Sequence, residues 1–301
     1  KPWYINYMQY FARWCIDECI SSKGYIPRFV QYTLMYDLQW RYRIPSLPHT
    51  LLSEGELQAY VNNIVYLIKH FDDDIIMAQK NIYLEHKLFI LMQKYDSAPD
   101  EYVINNDIVY AYGSTEIYRR SQINVKIDFI KIHDNRLTLE ASSIFCGFNP
   151  NTKVQWYLKV NNDLIPCMNI NRNGNITSLD ERIAILLGFT TSFYLEKGKS
   201  YNITIICKIG DAYIEQQKIS FGKFSPLQGA MWNSYYIGDK HILTYSYHTL
   251  LLKPYHLCSH IYRELSYLKG LMKRNSAASW KAIFIRCAYI LRNIFPHKKI
   301  W

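Results

Sequence analysis

The chain has 301 residues, of which 49% are hydrophobic and 20% charged, with a formal net charge of +10. That balance excludes an intrinsically disordered chain and gives room for two domains with buried cores. Seven cysteines, an odd number in a chain this long, exclude a small disulfide scaffold, and no run of about 18 uncharged apolar residues suggests a membrane-spanning helix.

Residues 3–44 have helical spacing. Tyr7, Tyr10, Phe11, Trp14, Cys15 and Ile20 form one apolar stripe. Gly24 suits a helix end, and a second helix is predicted from Pro27 through Phe29, Tyr32, Tyr36 and Trp40 to Pro45. Ser53 followed by Glu56 is a capping-box pattern, and Leu57, Tyr60, Val61, Ile64, Leu67, Ile68 and Phe71 form the strongest stripe of the chain. A further helix is expected over about 72–95. Residues 1–97 therefore read as an all-helical unit.

From about 102 to 222 the period drops to two. Val125–Ile132, Leu137–Ser142, Val154–Lys159 and Tyr201–Cys207 alternate, with turns at His133–Arg136, Asn161–Asp163 and Gly210–Asp211. Short strands at this spacing predict an antiparallel, immunoglobulin-like β-sandwich over 98–225, and Cys146, Trp156 and Cys207 fall where core residues of such a sandwich would. Residues 226–254 read as a strand-rich connector. Residues 255–301 return to helix, so the predicted class is a multidomain α+β fold.

Charge is concentrated at the end of the chain. Residues 1–239 hold 24 Lys+Arg against 24 Asp+Glu, whereas residues 240–301 hold 11 against the single acid Glu264. Lys269, Lys273, Arg274, Lys281, Arg286, Arg292, Lys298 and Lys299 interleave there with Trp280, Phe284, Tyr289 and Phe295. Such a helix can lie in the headgroup layer of an anionic membrane, at about 1 kcal/mol per basic residue. The alternative is a basic helix packed on a neighbouring domain. An anionic membrane or anionic polymer is the expected partner. Nucleic acid is not expected, because none of the usual reading modules is present.

Asp72-Asp73-Asp74 could serve as a metal-binding DxD motif, but its place between two helical stripes favours a helix start or a solvated face. Cys15 and Cys19 lie one helical turn apart, and two ligands do not make a structural zinc site, so burial is expected for both. No GxSxG, HExxH, Walker A or GxGxxG sequence occurs, and no catalytic residue or cofactor is assigned. Tyr157 and Tyr194 are candidate glycan contacts on the sandwich. Trp14, Tyr36 and Trp40 could stack on an acceptor, although core packing is the expected fate of those three.

Three stretches carry a resemblance: Tyr25-Ile26-Pro27-Arg28-Phe29-Val30-Gln31-Tyr32, Tyr36-Asp37-Leu38-Gln39-Trp40-Arg41, and Phe71-Asp72-Asp73-Asp74-Ile75-Ile76. They resemble the helical region that follows the family-2 glycosyltransferase domain in large bacterial surface-polymer synthases. The ending His297-Lys298-Lys299-Ile300-Trp301 is similar to the lead-in to a CDP-glycerol glycerophosphotransferase domain. The resemblance implies a non-catalytic segment between two catalytic domains of one polypeptide. It also implies a role in teichoic acid or capsule synthesis, and a place in the cytoplasm on the inner face of the membrane. The sequence also leaves open a stand-alone glycan-binding protein and a self-contained transferase built on Asp72–Asp74.

Overall fold

A computed structural model describes residues 1–146, 153–227 and 235–256, together with 264–265, 268–269, 272, 280–284 and 286–288. The chain divides into two compact units. The first comprises residues 1–119, 144–152 and 171–187, and the second comprises 120–143, 153–170 and 188–301. In this division residues 98–119 group with the helices.

The first unit opens on a π-helical segment, Tyr7–Arg13, that runs directly into α1 (Trp14–Lys23). Gly24 closes α1 at φ +75, the left-handed conformation that glycine adopts without cost. Then follow α2 (Arg28–Tyr42), α3 (Glu54–Lys69), α4 (Asp73–Met77) and α5 (Leu84–Tyr95). The capping box forms as expected: Ser53 N–H donates to Glu56 Oε2 at 2.8 Å, and Glu56 N–H donates to Ser53 Oγ at 3.4 Å. Tyr60, Ile64, Leu67, Ile68 and Phe71 of the long stripe are buried.

Two helical expectations change. The single helix over 72–95 is broken into α4 and α5. The carbonyls that would continue α4 are taken by side chains: Gln79 Nε2 donates to Ile75 O at 2.9 Å, and Lys87 Nζ to Met77 O at 2.6 Å. At the N-terminus the buried face is Met8, Ala12 and Ile16, whereas Tyr10, Phe11, Trp14 and Ile20 of the predicted stripe are exposed. In this stretch a spacing of four selects the buried residues, and the wider π-helical turn keeps that row in line.

Arg41 sits at the centre of this unit with 1% of its surface exposed. Its Nε donates to Asp37 Oδ2 at 2.9 Å and its Nη1 to Tyr60 Oη at 3.3 Å. Its guanidinium lies 4.5 Å from the Trp3 ring centroid and 5.0 Å from that of Tyr7. Burial, helped by the Asp37 carboxylate, pushes the Tyr7 hydroxyl up to about 12.

The unit is completed by a three-stranded antiparallel sheet of β1 (Asp100–Ile104), β2 (Asp107–Tyr112) and β3 (Thr115–Arg119). Tyr110 and Tyr118 stack on it at 4.4 Å. Residues 171–187 come from two later strands, and their turn is fastened by Ser178 Oγ donating to Tyr42 O at 2.7 Å and by Leu179 N–H donating to Ile44 O at 3.0 Å.

The second unit is built on β4 (Val125–His133), β5 (Arg136–Phe145), β6 (Val154–Val160), β7 (Asp163–Pro166), β8 (Met168–Ser178), β9 (Glu181–Tyr194), β10 (Tyr201–Ile209), β11 (Ala212–Glu215) and β12 (Ile219–Phe221), except that residues 144–145 of β5, 171–178 of β8 and 181–187 of β9 belong to the first unit. They are followed by β13 (Tyr235–Gly238), β14 (His241–Ser246) and β15 (Thr249–Pro254). One sheet has the order β12-β4-β5-β9-β8; the other runs β13-β14-β15-β10-β6-β7, with β11 also pairing β10. The orders β4-β5-β9-β8 and β7-β6-β10-β11 are those of the two sheets of an immunoglobulin-like sandwich. Trp156, fully buried, stacks on Phe189 of the opposite sheet at 4.5 Å and pairs in register with Cys207. Cys146 lies just past the end of β5 and is buried, and Cys207 is a buried free thiol.

Candidate functional site

The triple aspartate is held apart rather than brought together. Arg28 Nη1 donates to Asp72 Oδ2 at 3.0 Å, and its Nη2 pairs with Asp74 Oδ2. Gln31 Oε1 accepts from the Asp72 N–H at 2.7 Å. Asp73 turns the other way, where its Oδ1 accepts from Lys94 Nζ at 2.6 Å and its Oδ2 from Tyr95 Oη at 2.7 Å. The Arg28 guanidinium holds the Asp74 carboxyl below the usual carboxylate range. Burial, with Asp73 alongside, pushes the Tyr95 hydroxyl up to about 12. Asp72 occupies the N-cap position of α4 but makes no side-chain cap bond, so the run links α4 to α2 and α5 instead of capping. No group of three or more metal-ligating side chains occurs among the described residues.

Lys94 is therefore a structural residue. Lys94→Met is expected to lower stability by about 1–3 kcal/mol, because it leaves the mostly buried Asp73 carboxylate with Tyr95 alone. Denaturant unfolding checks this, and added Mn²⁺ is expected to leave the transition where it is.

The open aromatic surface of the helical unit lies elsewhere. Tyr10 and Trp14, four residues apart on the π-helical segment and α1, are 68% and 55% exposed. They line a groove of about 570 Å³ with Gln9, Arg13, Asn62 and Asn63. Arg13 is held there by Asn63 Oδ1, which accepts from its Nη1 at 3.3 Å, by the Tyr66 ring 4.2 Å from its guanidinium, and by the carboxylate of Asp17, a further lining residue, 3.8 Å from its Nε. A groove with two aromatic faces, amide groups and an Arg13–Asp17 ion pair suits a ligand that has apolar ring faces and hydroxyls. Tyr36 and Trp40 are also exposed, edge to face on α2 at 6.4 Å, so the expected core packing of Trp14, Tyr36 and Trp40 does not occur. Cys15 and Cys19 are half-buried rather than buried.

On the second unit the two tyrosines chosen from sequence do not share a platform. Tyr157 is half-buried on β6, 5.9 Å from Tyr213 of β11. Tyr194 ends β9 on the other sheet, 75% exposed, with the Arg136 guanidinium 5.7 Å from its ring.

Of the basic residues named from sequence, Lys273, Arg274, Arg292, Lys298 and Lys299 lie outside the described residues. Lys269 and Lys281 are exposed, as are Trp280, which adjoins Lys281, and Phe284. Arg286 is not at the surface. It is 7% exposed, donates to both oxygens of Glu264 at 2.7 and 2.8 Å, and lies 5.0 Å from the Tyr235 ring. Its guanidinium is committed to the one acid of the basic block, which removes it from any surface-contact set. No helix among the described residues is long and apolar enough to cross a membrane.

Fold and site together define a multidomain α+β chain with a helical unit carrying an aromatic groove and an immunoglobulin-like sandwich. No family model matches the chain. It is 26% identical over 331 aligned residues to the minor teichoic acid biosynthesis protein GgaB of Bacillus subtilis (strain 168). The alignment takes in 100% of this chain and 34% of that protein, so the chain spans about a third of its relative's length.

Proposed function

We propose that the chain is a non-catalytic connecting segment of a bacterial surface-polymer synthase of the teichoic acid type, and that its helical unit holds the polymer while transfer is performed elsewhere. The observation that carries the reading is the Tyr10–Trp14 groove, an exposed aromatic and amide surface with an Arg13–Asp17 pair, suited to the ring faces and hydroxyls of sugars. The similarity to a teichoic acid biosynthesis protein along the whole chain supports that class of polymer. The bonding of Asp72, Asp73 and Asp74 to Arg28, Gln31, Lys94 and Tyr95 speaks against a metal-dependent transferase centred on them.

The partners in this reading are the anionic polymer, neighbouring catalytic domains of the same polypeptide, and the anionic inner face of the membrane. Lys269 and Lys281, with Trp280 and Phe284, form the described part of the membrane contact. The test is a turnover assay on the purified chain with nucleotide sugars and Mn²⁺, run beside the Asp73→Ala variant. No release of nucleoside diphosphate by either protein is expected. Metal-dependent release that Asp73→Ala abolishes would overturn the connector reading. Co-sedimentation with liposomes tests the membrane part: binding should require anionic lipid and weaken at high salt. Absence of binding at any salt concentration removes it.

A further inference from the structure

The outer face of the seven-stranded sheet contains a notch. One edge of β10 pairs with β15 through Tyr201–Ile203 and with β11 through Ile206–Ile209. Between the two ladders Thr204 faces outward beside its register partner Lys159 of β6. The result is a groove of about 400 Å³ with Glu215 of β11 on one side and the β14–β15 turn on the other. Its lining is dense in hydrogen-bonding groups: Lys159, Asn202, Thr204, Glu215, His248 and Thr249. Among the described residues the Thr204 hydroxyl, itself buried beneath the groove, has no hydrogen-bond partner. Lys159 forms no ion pair among the described residues, whereas Glu215 Oε1 lies 3.1 Å from His248 Nε2.

The turn itself is the second observation. Ten non-glycine residues among those described have positive φ, and eight of them are Asn or Asp, which tolerate that conformation. The other two are Leu179 and Tyr247. Leu179 is 6% exposed in the helical core, so packing accounts for it. Tyr247 has φ +55 and is 80% exposed at the lip of the groove, so nothing in the fold accounts for a bulky ring in a turn that Asn or Gly would form at lower cost. Local strain kept at an exposed position, beside a polar cavity, is a mark of a binding site.

We infer that this notch is a saccharide-binding site. One sugar ring lies on the face of Tyr247, its hydroxyls meet Asn202 and the Glu215–His248 pair, and Lys159 takes a phosphate attached to the ring. The polymer identity rests on the proposed function; the saccharide site does not.

The test titrates the purified chain with wall teichoic acid, with the neutral sugars released from it by hydrofluoric acid, and with inorganic phosphate. The variants are Tyr247→Asn and Lys159→Ala. Tyr247→Asn is expected to fold with an unchanged or higher Tm, because it relieves the turn, and yet to bind the intact polymer at least tenfold more weakly. Lys159→Ala should lose affinity for the polymer and keep its affinity for the neutral sugars. Phosphate alone should bind weakly and indifferently to Tyr247. Polymer and sugar binding that is equal in the parent and both variants overturns the site. Sugar binding lost in Tyr247→Asn, with no preference for the polymer, confirms the notch and contradicts the teichoic acid reading alone.

Discussion

Asp37→Ala is expected to destabilise the helical unit by about 3 kcal/mol, the low end for breaking a buried ion pair, since the Asp37 side chain is 24% exposed. The loss does not come from the strength of the pair itself. The substitution leaves the Arg41 guanidinium buried with Tyr60 Oη and the rings of Trp3 and Tyr7 as its remaining partners, and none of these carries a compensating charge. A double change, Asp37→Ala with Arg41→Met, should recover much of the loss, because an apolar side chain of similar length fills the same aromatic cage. Urea unfolding of the single and double variants measures both. If the double variant is as unstable as the single, the cage needs a cation and this account of Arg41 is wrong.

Trp156→Ala is expected to cost the sandwich about 3–5 kcal/mol, the range for emptying a large aromatic site. The ring is fully buried, stacked on Phe189 at an interplanar angle of 15°, and has the Arg120 guanidinium 5.7 Å away. Its loss opens a cavity between the two sheets that the rigid ladders β6–β10 and β5–β9 cannot close. Trp156→Phe should cost clearly less, since the stack on Phe189 survives. Equal losses for the two substitutions would place the stabilisation outside the ring stack.

The α3 stripe and its capping box, the alternation of Val125–Ile132 and of Tyr201–Cys207, and the core places of Trp156 and Cys207 were all legible in the sequence, because each is a local periodicity with a local cause. The first helix was read on the wrong face. Helical spacing predicts the aromatic residues as core, but the π-helical segment and α1 bury the smaller Met8, Ala12 and Ile16 and turn Tyr10 and Trp14 outward. Met8, Ala12 and Ile16 also fit helical i, i+4, i+8 spacing, so periodicity alone does not choose between that row and the larger aromatics. The broken helix at 78–83 depended on Gln79 and Lys87 reaching backbone carbonyls, a contact that has no pattern in sequence. Arg286 was indistinguishable from the surface lysines beside it until Glu264 was found within bonding distance. Of the sandwich notch, only Tyr247-His248 left a sequence signal, a two-residue turn between strands without the usual Asn or Gly. Thr204 and Lys159 meet only through the register of β6 with β10.

The central claim is that the helical unit contacts polymer through Tyr10 and Trp14. It is tested most directly by equilibrium binding of wall teichoic acid to the chain and to its Trp14→Ala variant, with circular dichroism to show that both are folded. The exposed ring makes little contribution to the fold, so the variant should melt as the parent does. Its affinity should fall by tenfold or more, a loss of roughly 1.4 kcal/mol. Unchanged affinity in a folded Trp14→Ala protein would contradict the account and leave the exposed aromatics of the helical unit as a surface for another protein domain.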